Sequence, residues 1–160
     1  MRLTPFAAVM AILAAAPTAE AQSALTATSP LRIAAVGQTR VVMTQGAAAD
    51  PFVWEWTFLD QEAEGDGEVF DTYATSVIYD CSARTRRALV LETYRDGSFV
   101  SETPLYEEPA PVTPGTLADG ALQVICEPET NSDGASFADL GAARSAMDSR
   151  SARAPVSTPQ

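Results

Sequence analysis

The sequence predicts an α+β fold: an antiparallel β-sheet of about five or six strands, with a C-terminal helix tethered to one face by a disulfide. Three observations predict it. Phe52, Trp54, Trp56 and Phe58 occupy alternate positions, which in a strand puts four aromatics on one face. Asp96-Gly97 separates two strand-like runs, and its turn needs the positive φ that Asp tolerates and Gly permits. Thr116 stands three residues before Asp119, a variant of the capping box, and Leu117, Ala121, Val124 and Ile125 then recur on one helical face.

Taken in order, residues 22–30 are small, polar and uncharged and read as a linker. Leu31–Val36 and Arg40–Thr44 read as short strands. The aromatic alternation gives the next strand, and core packing beneath the helix is the expectation for its ring-bearing face. Glu62, Glu64, Asp66, Gly67 and Glu68 loosely echo a calcium loop. The twelfth position of that loop would be Tyr73 rather than an acid, so a solvated hairpin tip is expected. Val69–Cys81 is rich in strand-favouring residues. Arg86–Tyr94 and Ser98–Thr103 form the hairpin closed by Asp96-Gly97. Gly120 weakens the helix that follows, by about 1 kcal/mol relative to Ala. Beyond Cys126 the composition shifts to Ala, Ser, Pro, Asp and Arg, and residues 127–160 read as a low-complexity, partly disordered tail. A weaker helix within it would be capped by Ser136 and carry Phe137, Leu140, Arg144 and Met147.

The first 21 residues have the form of a secretory signal. Arg2 precedes the apolar run Phe6–Ala16, and Ala19-Glu20-Ala21 offers a small-x-small cleavage site. That run is too short to span a bilayer, which takes about 20 residues. Gln22 follows the expected cut, so the cysteine that a lipid anchor needs is not in place. A periplasmic or secreted protein without a membrane span or lipid anchor is therefore expected. In such a compartment the only two cysteines, Cys81 and Cys126, are expected to pair, the alternative being two separate buried thiols.

The 160 residues carry a net charge of −11, with 10 basic residues, all Arg, and no His. Lacking His removes the commonest general base and zinc ligand. Lacking Lys removes Schiff-base chemistry. The acidic balance argues against nucleic acid as a partner. No G-x-S-x-G elbow is present, so only carboxylate pairs remain for catalysis, and nothing in the sequence sets two at a useful spacing. The expectation is a non-catalytic protein with no cofactor and no metal. Arg84, Arg86 and Arg87 form the one basic cluster and are the candidate partner-binding residues, suited to a sulfated glycan or an acidic protein of the envelope or extracellular matrix. The alternative is that they pair internally with carboxylates such as Asp80 and Asp71.

Three stretches, taken in order, resemble the surface-adhesin protein E family. They are Tyr79-Asp80-Cys81 with Arg84 and Arg87; the strand and turn ending Tyr94-Arg95-Asp96-Gly97; and Pro114-Gly115-Thr116 leading into Val124-Ile125-Cys126. The resemblance covers roughly residues 31–126. It implies an antiparallel sheet with a disulfide-tethered C-terminal helix, and adhesion at the cell surface. Members commonly carry a Trp just before the Pro-Gly element, where this chain has Glu107–Val112. A structural or assembly factor of the periplasm, with no adhesive role, is the other reading.

Overall fold

The computed structural model describes residue 24 and residues 28–129 and 135–151. The expected signal sequence lies outside the described residues. The strands are β1 (Leu31–Val36), β2 (Arg40–Gln45), β3 (Val53–Gly65), β4 (Glu68–Asp80), β5 (Thr85–Arg95), β6 (Ser98–Pro104), β7 (Ala110–Pro111) and β8 (Ser136–Phe137); the helices are α1 (Leu117–Cys126) and α2 (Leu140–Ser151). All strand pairs are antiparallel, in the order β6-β5-β4-β3-β2-β1-β8, with β7 also on β5. The sheet thus has eight strands, not the expected five or six. The two that periodicity missed, β7 and β8, are each two residues long and too short to show a period.

Local chemistry explains the hairpins. Asp66-Gly67 joins β3 to β4 with φ of 53° and 80°, and Asp96-Gly97 joins β5 to β6 with 51° and 76°. Both central residues of each turn are left-handed, as a two-residue hairpin loop of this twist requires. The acidic stretch around Gly67 is therefore a hairpin tip.

The register places Trp54, Trp56 and Phe58 opposite Gln45, Met43 and Val41 of β2, and opposite Ser76, Ala74 and Thr72 of β4. On this face they pack with Leu31, Tyr94, Ala24 and Ala143, all buried. Trp56 and Tyr94 lie 5.2 Å apart between ring centroids. The aromatic stripe is thus core, but not beneath α1. It is covered by α2 and by the segment at Ala24, whereas α1 packs on the opposite face through Ile125 against Val53 and Val77. The linker residues take part: Ala24 is 1% exposed, and the Gln45 side-chain amide donates to the Ser29 carbonyl at 2.7 Å.

α1 is capped as its sequence predicts. The Thr116 hydroxyl accepts from the Asp119 N–H at 3.2 Å, and the Asp119 carboxylate accepts from the Gly115 N–H at 2.9 Å. Gly120 lets the helix sit directly on β1, since a Cβ there would stand 2.6 Å from the Ala34 carbonyl oxygen. At its other end Arg32 donates to the Val124 carbonyl at 3.3 Å, a cation at a helix C-terminus. Cys126 is bonded to Cys81 with a Cα–Cα distance of 5.5 Å, tying the end of α1 to the turn after β4.

The segment beyond Cys126 is only partly a tail, since its described residues add β8 to the sheet and form α2. Asp139, not Ser136, caps α2: its carboxylate accepts from the Ala142 N–H at 2.8 Å, while Ser136 lies in β8. Arg144 then forks onto Asp71, with one nitrogen at 3.1 Å.

Candidate functional site

The three arginines of the basic cluster do not form one patch. After β4 the chain turns over Cys81–Arg84. The Asp80 carboxylate accepts from the N–H groups of Ser82 and Ala83, both at 2.9 Å, and from the Ser82 hydroxyl at 2.7 Å. These donors hold its pKa below the usual carboxylate range. The turn leaves Arg84 at φ 50° and points it at Asp119, 2.5 Å away, with Glu127 at 3.6 Å. Arg84 is therefore a clamp on the α1 cap. Arg86 pairs across β4 with Tyr79, and Arg87 with Ile78, so alternation sends the two side chains to opposite faces. Arg86 pairs with Glu55 at 3.1 Å. Neither of the expected carboxylates is involved. Asp80 serves its own turn, and Asp71 serves Arg144 and the Asp96 N–H.

Glu55 is the residue that organises this face. It alternates with Trp54 and Trp56, so it points away from the aromatic core toward the side of the sheet that carries α1. Its neighbours there come from three strands: Thr44 and Thr75 flank it in register, and Tyr79 and Arg86 reach its two oxygens. Burial raises its pKa above the usual carboxylate range, against the opposing pull of Arg86 and of the Tyr79 hydrogen bond. Burial, together with the Glu55 charge, drives the Tyr79 phenol far above its ordinary value. At neutral pH Tyr79 is a donor and not a base.

Between this cluster and the start of α1 lies an open cleft of about 390 Å³, within the usual size range of ligand sites. Arg40, Glu55, Tyr73, Arg86, Glu107 and the first turn of α1 line it. Arg40 is exposed and makes no ion pair among the described residues. The Arg86 Nε is buried and has no hydrogen-bond acceptor among the described residues. The Nε is closed off from solvent, while the Arg86 side chain as a whole is 26% exposed and lines the cleft. A second cleft of about 260 Å³ lies under α2, lined by Asp60, Glu62, Asp71, Asp96 and Asp148 around Arg144. No group of three or more acidic, Cys or His residues that could hold a metal occurs among the described residues.

Of the three arginines singled out from sequence, only Arg86 lines the cleft. Arg40, Glu55 and Glu107 were missed. Glu55 carried a signal, a charged residue between two tryptophans in a strand whose other face reads Val53, Thr57. Arg40 and Glu107 carried none, because strand register brings Arg40 to the cleft and the hydrogen bonds of the loop after β6 bring Glu107 there. Among the described residues no helix is long and apolar enough to cross a membrane. Neither family models, nor curated proteins, nor solved structures gave a match to this chain.

Proposed function

We propose that this chain is an exported, non-catalytic recognition domain of a bacterial cell envelope, and that it holds an anionic group of its partner in the cleft beside α1. The observation that carries this reading is a cleft lined by two arginines: Arg86, held by Glu55 with its side chain 26% exposed, and Arg40, exposed and without an ion pair among the described residues. A guanidinium fixed by a carboxylate on one edge presents its other edge to a carboxylate or sulfate at little entropic cost. The non-catalytic part rests on Glu55, whose two oxygens are already engaged by Tyr79 and Arg86. Export is supported by the signal-like first 21 residues and the disulfide, and the adhesive role by the resemblance to the surface-adhesin protein E family. The test is a binding titration of the disulfide-bonded protein against an acidic peptide and a heparin-derived oligosaccharide at rising salt. Binding to at least one, weakened by salt and by Arg40→Gln, is expected. No binding to either at low salt overturns the reading.

One observation favours the other role, of a structural or assembly factor. β6 is an outer strand of the sheet and carries Phe99, 50% exposed, which leaves a pairing edge available to an envelope partner. Cell fractionation with protease shaving of intact cells separates the two: surface exposure or secretion supports adhesion, and strict periplasmic retention supports assembly.

A further inference from the structure

The cleft holds more than a site for an anion. Arg40 and Glu107 both line it, carry opposite charges, and form no ion pair with each other or with any other described residue. Glu107 is exposed, and its backbone is fixed: the N–H groups of Leu105, Tyr106 and Glu107 donate to the carbonyls of Leu89, Leu89 and Ala88 at 2.8, 3.2 and 3.0 Å. Between the two cleft-lining residues of this loop stands Tyr106, 75% exposed and held at φ 47°. Positive φ is uncommon for a bulky residue and costs of order 1–3 kcal/mol. Tyr106 is thus an exposed aromatic residue adjacent in sequence to two residues that line the charged cleft.

We propose that the cleft recognises a dipolar segment of a protein partner, one that brings a carboxylate to Arg86 and Arg40 and an ammonium or guanidinium to Glu107, with Tyr106 as the aromatic anchor at the rim. This rests on the recognition reading above and names its partner class. Charge decides against a polyanionic glycan. Such a ligand would set further sulfates against Glu107 and Glu55, in a protein of net charge −11, and like charges facing one another suppress a wrong partner. Tyr and Arg are the residue types enriched where proteins meet proteins. The loop is already ordered by its three backbone hydrogen bonds, so docking on it loses little conformational freedom.

The experiment selects binders to the full, disulfide-bonded protein from a displayed library of short random peptides, and titrates a heparin-derived oligosaccharide in parallel. Recovered peptides should combine acidic with basic residues. Each should lose roughly tenfold or more in affinity with Arg40→Gln, with Glu107→Gln and with Tyr106→Ala, all exposed positions whose variants are checked for unchanged circular dichroism. Arg86→Lys keeps the charge facing Glu55 but removes the guanidinium fork, and should weaken the same peptides. Recovery of purely acidic peptides that ignore Glu107→Gln, or tighter binding of heparin than of any peptide, overturns the dipolar proposal and leaves the anion site standing. No binder of either class overturns both.

Discussion

Glu55 shows how one residue type acquires two roles from its surroundings. On a strand whose other face is aromatic core, it is buried with a tyrosine and an arginine as its partners. Because burial raises its pKa in the folded protein, folding takes up a proton in the interval between the ordinary Glu value, about 4.3, and the folded value. Stability from this group is present below that interval and declines as pH rises through the folded pKa. Asp71 has the opposite sign. Burial pushes it up, but Arg144, the Asp96 N–H and Thr72 together bring it below its ordinary value, so its contribution is present at neutral pH and lost as pH falls through the folded value. Glu55→Gln removes only the first effect. Urea midpoints followed from pH 4 to 8 should show wild type losing stability relative to Glu55→Gln as pH rises. Parallel profiles would mean that the Glu55 pKa is the same in the folded and unfolded states. Tyr79→Phe leaves one Glu55 oxygen without its donor and should cost about 1–3 kcal/mol, measured by the same denaturation.

At the scale of elements, helix propensity and packing disagree at Gly120, and packing wins. Propensity alone says that Gly120→Ala should stabilise α1 by about 1 kcal/mol. The new methyl would meet the Ala34 carbonyl oxygen at 2.6 Å and the Ala35 Cβ at 2.9 Å, both on a neighbouring strand rather than on a flexible side chain. A net loss of about 1–3 kcal/mol is expected instead, and thermal melts of the variant check it. α2 is held differently. Among its described side chains only Ala143 is fully buried, Leu140 and Met147 pack partly buried against the aromatic core, and Arg144 pairs with Asp71. Arg144→Ala should cost about 1 kcal/mol, kept low because the pair is partly exposed. It should speed amide exchange in α2 and shift tryptophan emission to the red as the aromatic face opens; unchanged exchange would place the docking elsewhere. These two helices also show where the sequence was legible. Alternation and turn chemistry locate the six longer strands, and Thr116 locates α1. Alternation says which side chains share a face but not which helix covers it, so the tryptophans were assigned to the wrong helix. The close approach at Gly120 that seats α1 over β1 has no periodic signature. The Asp66-Gly67 turn was readable by the rule applied to Asp96-Gly97. The cleft was not readable, because Arg40, Glu55 and Arg86 come from separate strands that meet through register, and Glu107 from a loop placed by its backbone hydrogen bonds to β5.

The whole molecule depends on a single covalent constraint. The Cys81–Cys126 bond closes a span of 45 residues that contains β5, β6, β7 and most of α1. Constraining such a loop in the unfolded chain is worth about 4 kcal/mol in the entropy model, an upper-end value because it ignores strain. Domains have only about 5–15 kcal/mol in total. The bond is not the only attachment of α1, however. Arg84 still grips Asp119, Ile125 still packs on Val53 and Val77, and Gly120 still seats the helix on β1. Reduction should therefore lower stability without abolishing the fold. Taking about 3 kcal/mol as the realised effect, the melting temperature should fall by roughly 12–24 °C. The end of α1 near Cys126 should gain mobility before its capped start does. The cleft is built against that capped start, so peptide binding should outlast the first loss of thermal stability. The experiment pairs thiol titration of the unreduced, denatured protein with melts before and after reduction. No free thiol and a large drop are expected. Two titratable thiols in protein from its native compartment, or a melting temperature indifferent to reductant, would show that packing and ion pairs hold α1 without the bond.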